Sequence, residues 1–78
     1  MSRLVFADTG GLVGFLVSED PYHESAVGAV KQILRAGGAF VTSNYVFDET
    51  ITLVRKSEGH REARRVGEAI LGSRIIKR

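Results

Sequence analysis

Two carboxylate side chains stand where a short apolar segment gives way to a polar one. Asp8 directly follows "RLVFA", and Glu49 lies in "NYVFDET", soon after a second apolar segment, "AFVTS". If both apolar segments are strands of one parallel sheet, the residues that follow them lie at the same end of that sheet. Carboxylate oxygens are the ligands that Mg²⁺ and Mn²⁺ prefer. Asp8 and Glu49 are therefore candidate ligands of a shared divalent metal ion.

Helical periodicity separates Glu49 from its neighbour Asp48. At 100° per residue, Glu49 lies at the margin of the apolar stripe of its helix, whereas Asp48 lies almost opposite and faces water. A carboxylate at the border of the core needs a partner, because burying an unpaired charge is costly. A cation shared with Asp8 would be one partner, and an arginine or the helix dipole are the alternatives.

Neighbouring polar residues have a local role as well as a functional one. Asp8 has an alternative role as the N-cap of a helix that begins near residue 10. Three further polar residues are turn or cap residues that could also hydrogen-bond a ligand carboxylate or its water, and we predict a supporting role for them: Thr9, Ser43 and Asn44. Neither His23 nor His60 has a second candidate ligand at metal-binding spacing, so we expect both histidines to lie at the surface.

The predicted elements alternate between strands and helices. The first strand is apolar throughout, which predicts that it is covered on both faces. Asp20 followed by Pro21 is a typical helix start, with an N-cap and a proline at the first helical position. In order, the elements are strand 3–7, helix 10–17, helix 20–35, strand 39–43, a helix from residue 44 closed by Gly59, helix 60–71 and the beginning of a strand at 74–78. This order predicts an α/β fold, a three-layer α/β/α sandwich with a parallel sheet or part of one.

The composition indicates one small globular domain. The chain has 78 residues, 44% hydrophobic and 26% charged, and no cysteine, so neither disulfides nor thiolate zinc sites stabilise it. No apolar run approaches the length of a membrane span, and the early apolar segment is interrupted by Asp8. The expected compartment is the cytoplasm.

The charge is unevenly distributed along the chain. Residues 1–50 carry a net charge of −3 and residues 51–78 a net charge of +5, with the basic residues centred on "RKSEGHREARR". This segment is either a solvated helical face with internal ion pairs or a surface that attracts phosphates. Under the second interpretation, the candidate phosphate-binding residues are Arg55, Arg61, Arg64 and Arg65.

The triplet Asp8-Thr9-Gly10 is also the motif of aspartic proteases. Those enzymes are nearly all β, and their catalytic dyad needs two such aspartates sharing a proton. Residues 20–36 and 60–71 read instead as capped amphipathic helices. The helices exclude the protease interpretation.

Two segments, "LVFADTGGLVGFLVSEDPYHESAV" and "FVTSNYVFDETITLVRKSEGHREA", resemble the first half of a PIN domain, the fold of VapC-type toxin ribonucleases. The resemblance covers all 78 residues in the expected order. It implies that Asp8 matches the first metal-binding aspartate, Thr9 the hydroxyl residue after it, and Glu49 the second acidic residue. It also implies Asp8 and Glu49 as catalytic residues, Mg²⁺ or Mn²⁺ as cofactor, RNA as substrate and an antitoxin protein as partner. In such a domain the basic residues that we expect to bind the RNA backbone are Arg55, Arg61, Arg64 and Arg65.

The sequence departs from this family in its acidic residues. PIN domains continue with further strands, a helix, and a third and often a fourth acidic residue, whereas no Asp or Glu follows Glu68 here. The resemblance thus predicts an incomplete metal site, an unpaired apolar edge at the first strand, and a homo-oligomer formed through that edge. Two functions remain open: a metal-dependent ribonuclease domain represented by its N-terminal half, and a non-catalytic remnant that folds and self-associates.

Overall fold

The computed structural model describes residues 3–78 and contains three strands and four helices. In chain order these are β1 (Leu4–Phe6), α1 (Thr9–Leu16), α2 (His23–Arg35), β2 (Ala39–Val41), α3 (Asn44–Glu58), α4 (His60–Leu71) and β3 (Ile76–Lys77). The strands form one parallel sheet in the order β1-β2-β3. The predicted α/β fold with a parallel sheet is confirmed. None of the described helices has the length and apolarity needed to cross a membrane.

The register of the sheet separates a covered face from an open one. Val5, Phe40 and Ile76 lie side by side across the three strands, and they contribute to the core or pack against it. The alternate residues of β1 point the other way, and there Leu4 is 66% and Phe6 57% exposed. The prediction that β1 is covered on both faces is therefore wrong, because the elements within residues 3–78 leave Leu4 and Phe6 largely exposed.

The core is formed by the covered face of the sheet and by α1, α3 and α4. Helix α4 contributes Ala63, Val66 and Ile70 to this core, and all three are buried as their helical spacing predicts. A Cβ atom at Gly67 would lie 3.3 Å from Cδ1 of Ile51, so α4 approaches α3 closely. The fully buried Thr50 donates its hydroxyl to the carbonyl of Val46 at 2.7 Å, which satisfies the polar atom within α3.

The second helix begins later than its sequence suggests. The pair Asp20-Pro21 predicts a start at residue 20, but α2 begins at His23. The Asp20 carboxylate accepts a hydrogen bond from the Tyr22 backbone N–H at 3.0 Å, and its carbonyl accepts one from His23 N–H. Asp20 thus closes a turn ahead of the helix rather than capping the helix itself.

Helix α2 is less deeply packed than the other helices. It has no fully buried side chain. An apolar cavity of about 210 Å³ lies among α1, α2 and the covered face of the sheet, with Asp8 among its lining residues. At the far end of α2, Gly37 has a φ of +83°, a conformation that favours glycine and ends the helix.

Candidate functional site

Asp8 is held at the carboxyl end of β1 by the backbone on both sides. Ala7 donates its N–H to the carbonyl of Val41 at 2.8 Å and accepts the Thr42 hydroxyl at 2.8 Å. Asp8 itself is the N-cap of α1, and its Oδ1 accepts the Gly11 N–H at 2.8 Å. The capping role proposed for Asp8 is therefore confirmed. Because the cap occupies Oδ1, Oδ2 remains the oxygen that could coordinate a ligand.

Glu49 reaches the same end of the sheet from α3. The Thr9 hydroxyl, in the first turn of α1, donates to Glu49 Oε1 at 2.5 Å across a separation of 40 residues. The observed partner of Glu49 is thus a hydroxyl group, whereas the sequence suggested a cation, an arginine or the helix dipole. Asp48, the neighbour predicted to face water, is exposed, but Glu49 is exposed as well, so its predicted place at the border of the core is wrong. The hydrogen bond to Thr9 is what distinguishes Glu49 from Asp48. The Thr9–Glu49 hydrogen bond brings the Glu49 carboxylate beside the residue that follows Asp8.

The other predicted supporting residues flank the start of α3. Ser43 caps this helix, and its Oγ accepts the Val46 N–H at 3.1 Å. The Asn44 side-chain oxygen accepts a hydrogen bond from Arg78 at 3.3 Å, and the Arg78 guanidinium lies 5.6 Å from the centre of the Phe47 ring. Sequence reasoning missed Arg78. The signal that could have found it is topological, since β3 runs parallel to β2 and its carboxyl end must lie at the same end of the sheet.

The donor set of the site suits a weakly held Mg²⁺ or Mn²⁺. Asp8 and Glu49 each have one carboxylate oxygen that is free of the hydrogen bonds described above. Magnesium is commonly bound by only one or two carboxylates, with water and substrate phosphate completing its shell. Among residues 3–78, however, no three His, Asp or Glu side chains converge as a metal site. The two carboxylates therefore have the chemistry that a magnesium or manganese ion requires, but they supply only two ligands.

Three of the four predicted RNA-binding arginines lie together. A shallow groove between α3 and the first turns of α4 is lined by Ile51, Arg55, His60, Arg61, Ala63 and Arg64, and we call it the basic groove. In residues 3–78, none of its cations forms an ion pair within 4 Å. Clustered cations without ion-pair partners are the kind of surface that attracts anions in general.

Arg65 has a different environment. Its Nε and one terminal nitrogen donate to the two carboxylate oxygens of Glu62, each at 2.7 Å, and the same terminal nitrogen contacts the carbonyl of Leu16. The hydrogen bond and the charge of Arg65 lower the pKa of Glu62, while the pKa of Arg65 is raised by the same bond. Arg65 thus connects α4 to the end of α1, a role that sequence reasoning missed.

We expect this ion pair to give a small, pH-dependent contribution to stability. Because the pKa of Glu62 is lower in the folded state, the contribution is present above the ordinary glutamate pKa of 4.5 and is lost as the pH falls through the folded pKa. Glu62→Gln should lower the free energy of unfolding by less than about 1 kcal/mol at neutral pH, and the difference should vanish in acid. Urea unfolding across a pH series measures this. The control is Glu68→Gln, which alters an exposed glutamate of α4. If Glu68→Gln caused an equal pH-dependent loss of stability, the effect could not be assigned to the ion pair between Glu62 and Arg65.

One histidine is more enclosed than its sequence indicates. His23 was predicted to lie at the surface, but it is half-buried and its Nδ1 lies 2.8 Å from the carbonyl oxygen of Gly14. The close approach of α1 and α2 explains this, because a Cβ at Gly14 would lie 3.2 Å from the Ala26 Cβ. His60 is exposed, as predicted, and it lines the basic groove.

Comparisons with known proteins assign the fold. No protein-family model and no curated protein sequence matches the chain. Among solved structures, the chain is similar to the crystal structure of VapC20 from Mycobacterium tuberculosis, a toxin that cleaves the sarcin-ricin loop, with a TM-score of 0.68 and 24% sequence identity. The match covers 99% of this chain and 54% of that toxin, so the chain spans about half of the toxin's length. The chain therefore has the fold of the corresponding part of a PIN-like toxin domain.

Proposed function

We propose that this chain forms part of a Mg²⁺- or Mn²⁺-dependent endoribonuclease domain of the PIN type, with an antitoxin protein as a further partner. The observation that carries the proposal is the Thr9–Glu49 hydrogen bond at 2.5 Å, because it brings two predicted metal ligands to one end of the sheet. The fold shared with a VapC toxin supports the choice of RNA as substrate.

The residues of the chain have separate tasks in this proposal. Asp8 and Glu49 supply the carboxylates, and Thr9 fixes the orientation of Glu49 by occupying one of its oxygens. The cap to Gly11 fixes Asp8 in the same way. When bound, the metal ion lowers the pKa of a water molecule and stabilises charge on the phosphoryl oxygens. Two carboxylates held by hydrogen bonds lose little freedom when they coordinate an ion, which favours binding despite the small number of ligands.

The direct experiment is cleavage of a structured RNA by the chain in Mn²⁺, with EDTA as control. We expect cleavage in Mn²⁺ and none after chelation, because hydrolysis depends on the ion that the two carboxylates hold. Cleavage that survives EDTA would contradict a metal mechanism. A complete absence of cleavage in Mn²⁺, from a folded protein, would favour the second function described below.

The basic groove is proposed to attract the RNA backbone. Each lysine or arginine that neutralises a phosphate of a single strand contributes about 0.7 to the slope of log affinity against log salt. The double variant Arg61→Glu/Arg64→Glu should therefore weaken RNA binding and reduce that slope by about 1 to 2. Lys31→Glu/Arg35→Glu, which alters two exposed basic residues of α2 and changes the net charge by the same amount, is the charge-matched control. If the double variant and the control had the same affinity and slope, the groove would have no role in binding.

A second function is favoured by the open face of the sheet. Leu4 and Phe6, 66% and 57% exposed, lie on the edge strand β1. Apolar edge strands pair readily with other chains. We propose, as the alternative to catalysis, a non-catalytic PIN-like fragment that folds and self-associates through β1 into a homo-oligomer.

Self-association has a direct test in sedimentation. We expect the chain to sediment as an oligomer at micromolar concentration and Phe6→Lys to shift it toward monomer, because a charge on the edge strand opposes pairing. Leu71→Lys, which alters a leucine of α4 that is 55% exposed, should leave the oligomer intact. A strictly monomeric wild-type chain, or equal dissociation by both variants, would contradict association through β1.

A further inference from the structure

The outer face of α3 carries an aromatic, an aliphatic and a basic side chain around the carboxylate of Glu49. Tyr45, Glu49 and Leu53 are spaced four residues apart, which places them above one another on the same face of the helix. Tyr45 is 74% exposed and Leu53 46% exposed. A shallow groove along this face is lined by Tyr45, Asp48, Glu49, Thr52, Leu53 and Lys56, and we call it the α3 groove.

An exposed tyrosine alone requires no explanation, because apolar atoms contribute much of any protein surface. The position of Tyr45 is what distinguishes it. The ring lies one turn before Glu49, in the same groove as the proposed metal ligand, and a lysine follows two turns after that ligand. Along the axis of α3, Tyr45 and Lys56 are about 16 Å apart, and Glu49 lies between them.

This order of groups matches the chemistry of an unpaired RNA strand. A nucleobase has an uncharged face that stacks on an aromatic ring, and such stacking tolerates any base. A phosphate needs a cation, which Lys56 offers. The negative charges of Asp48 and Glu49 disfavour a phosphate at the Tyr45 end of the groove unless an ion is bound, but they do not repel a neutral base.

Resting on the proposed function, we propose that Tyr45 stacks an unpaired nucleobase next to the phosphate to be cleaved, and that Lys56 contacts a phosphate further along the same strand. The substrate class that follows is a single-stranded loop or end. Bases inside a duplex are already stacked on their neighbours and cannot offer a face to Tyr45. The hydroxyl of Tyr45 has no part in the proposal, so phenylalanine should replace it.

The composition of the chain provides a specific probe. The chain has no tryptophan and only two tyrosines, Tyr22 and Tyr45. Tyr22 is 73% exposed but precedes α2 and is not among the residues of the α3 groove. In Tyr22→Phe, Tyr45 is therefore the sole fluorescent tyrosine, and in Tyr45→Phe, Tyr22 is the sole one.

The experiment titrates each protein with a six-nucleotide unpaired RNA while tyrosine fluorescence is recorded. Both variants carry Asp8→Asn so that the RNA is not cleaved. We expect the fluorescence of Tyr45 to be strongly quenched and that of Tyr22 to be unchanged. An abasic strand of equal length, which has phosphates but no bases, should cause little quenching of Tyr45. Quenching of Tyr22 instead, or equal quenching by the abasic strand, would overturn base stacking at Tyr45.

Affinity provides the second readout. In the same Asp8→Asn background, Tyr45→Ala should weaken binding of the unpaired RNA roughly tenfold to hundredfold, and Tyr45→Phe by less than about twofold. Tyr22→Ala should leave the affinity unchanged. Equal affinities of Tyr45→Ala and its parent would overturn the inference while leaving the proposed function intact.

Two further outcomes are distinguishable. If the wild-type chain and every variant bind no RNA, the proposed function fails and the role of Tyr45 fails with it. If Tyr45→Ala leaves RNA binding unchanged but alters the sedimentation of the chain, the α3 groove is a protein contact and the inference is overturned.

Discussion

Leu12→Ala should destabilise the domain by about 2–5 kcal/mol, the range for removing a fully buried leucine side chain. Leu12 is 2% exposed and lies in α1, where it joins the core formed by the sheet and α3. The substitution removes apolar contacts and adds to the cavity that already lies beside this residue. For a domain of this size, 1 kcal/mol corresponds to about 4–8 °C in Tm. We therefore expect Tm to fall by at least about 8 °C in calorimetry or circular dichroism.

A leucine on the surface supplies the matched control. Leu71 is 55% exposed at the end of α4, so Leu71→Ala removes the same atoms with little loss of burial. Its Tm should change by only a few degrees, about 4 °C or less. Equal losses in the two variants, at one protein concentration, would show that Leu12 does not form the core described here.

Asp8→Asn should abolish Mn²⁺-dependent RNA cleavage, lowering the rate by at least about a hundredfold, while leaving the fold intact. The reasoning depends on the double role of Asp8. Asparagine is as good an N-cap as aspartate, so the side-chain bond to Gly11 N–H and the start of α1 are retained. Only the negative charge is lost, and with it the attraction for a divalent ion. Cleavage assays and thermal unfolding of the same preparation separate the two effects.

Glu49→Gln is the corresponding variant on α3. Its amide oxygen can still accept the Thr9 hydroxyl, so the contact between α1 and α3 is preserved while the charge is removed. We expect the same loss of cleavage with a Tm close to that of the wild type. Asp48→Asn, the neighbouring exposed carboxylate, should retain most activity. If Asp48→Asn were as inactive as Glu49→Gln, the assignment of Glu49 over Asp48 would be wrong.

Local signals in the sequence predict most of the helices. The boundaries of α3 and α4 follow from a cap at Ser43, a glycine at position 59 with a φ of +96°, and apolar residues at helical spacing. The order of strands and helices predicts a parallel sheet, since connections of this kind run in one direction. The same periodicity placed Glu49 at the margin of the apolar stripe of α3, whereas in the structure Glu49 is exposed and accepts the Thr9 hydroxyl of α1.

Features that depend on distant residues could not be predicted in this way. The apolar residues of β1 predict burial on both faces, but burial is decided by which elements cover a strand, and Leu4 and Phe6 are exposed. Arg65 resembles the other arginines of its segment, and only the fold brings it to the carbonyl of Leu16. The side chain of Asp20 can form either of two local hydrogen bonds, one that caps a helix and one that closes a turn. The spacing of residues in the sequence does not decide between them, and the structure shows the turn.

The central claim is that Asp8 and Glu49 hold one divalent ion together, and calorimetric titration with Mn²⁺ tests it most directly. We predict that the wild-type chain binds a single Mn²⁺ and that Asp8→Asn and Glu49→Gln each weaken the affinity by at least about tenfold. Thr9→Val, which removes the hydroxyl that orients Glu49, should weaken it by roughly tenfold as well. Absence of Mn²⁺ binding by the wild-type chain, or unchanged affinity in both carboxylate variants, would contradict the account.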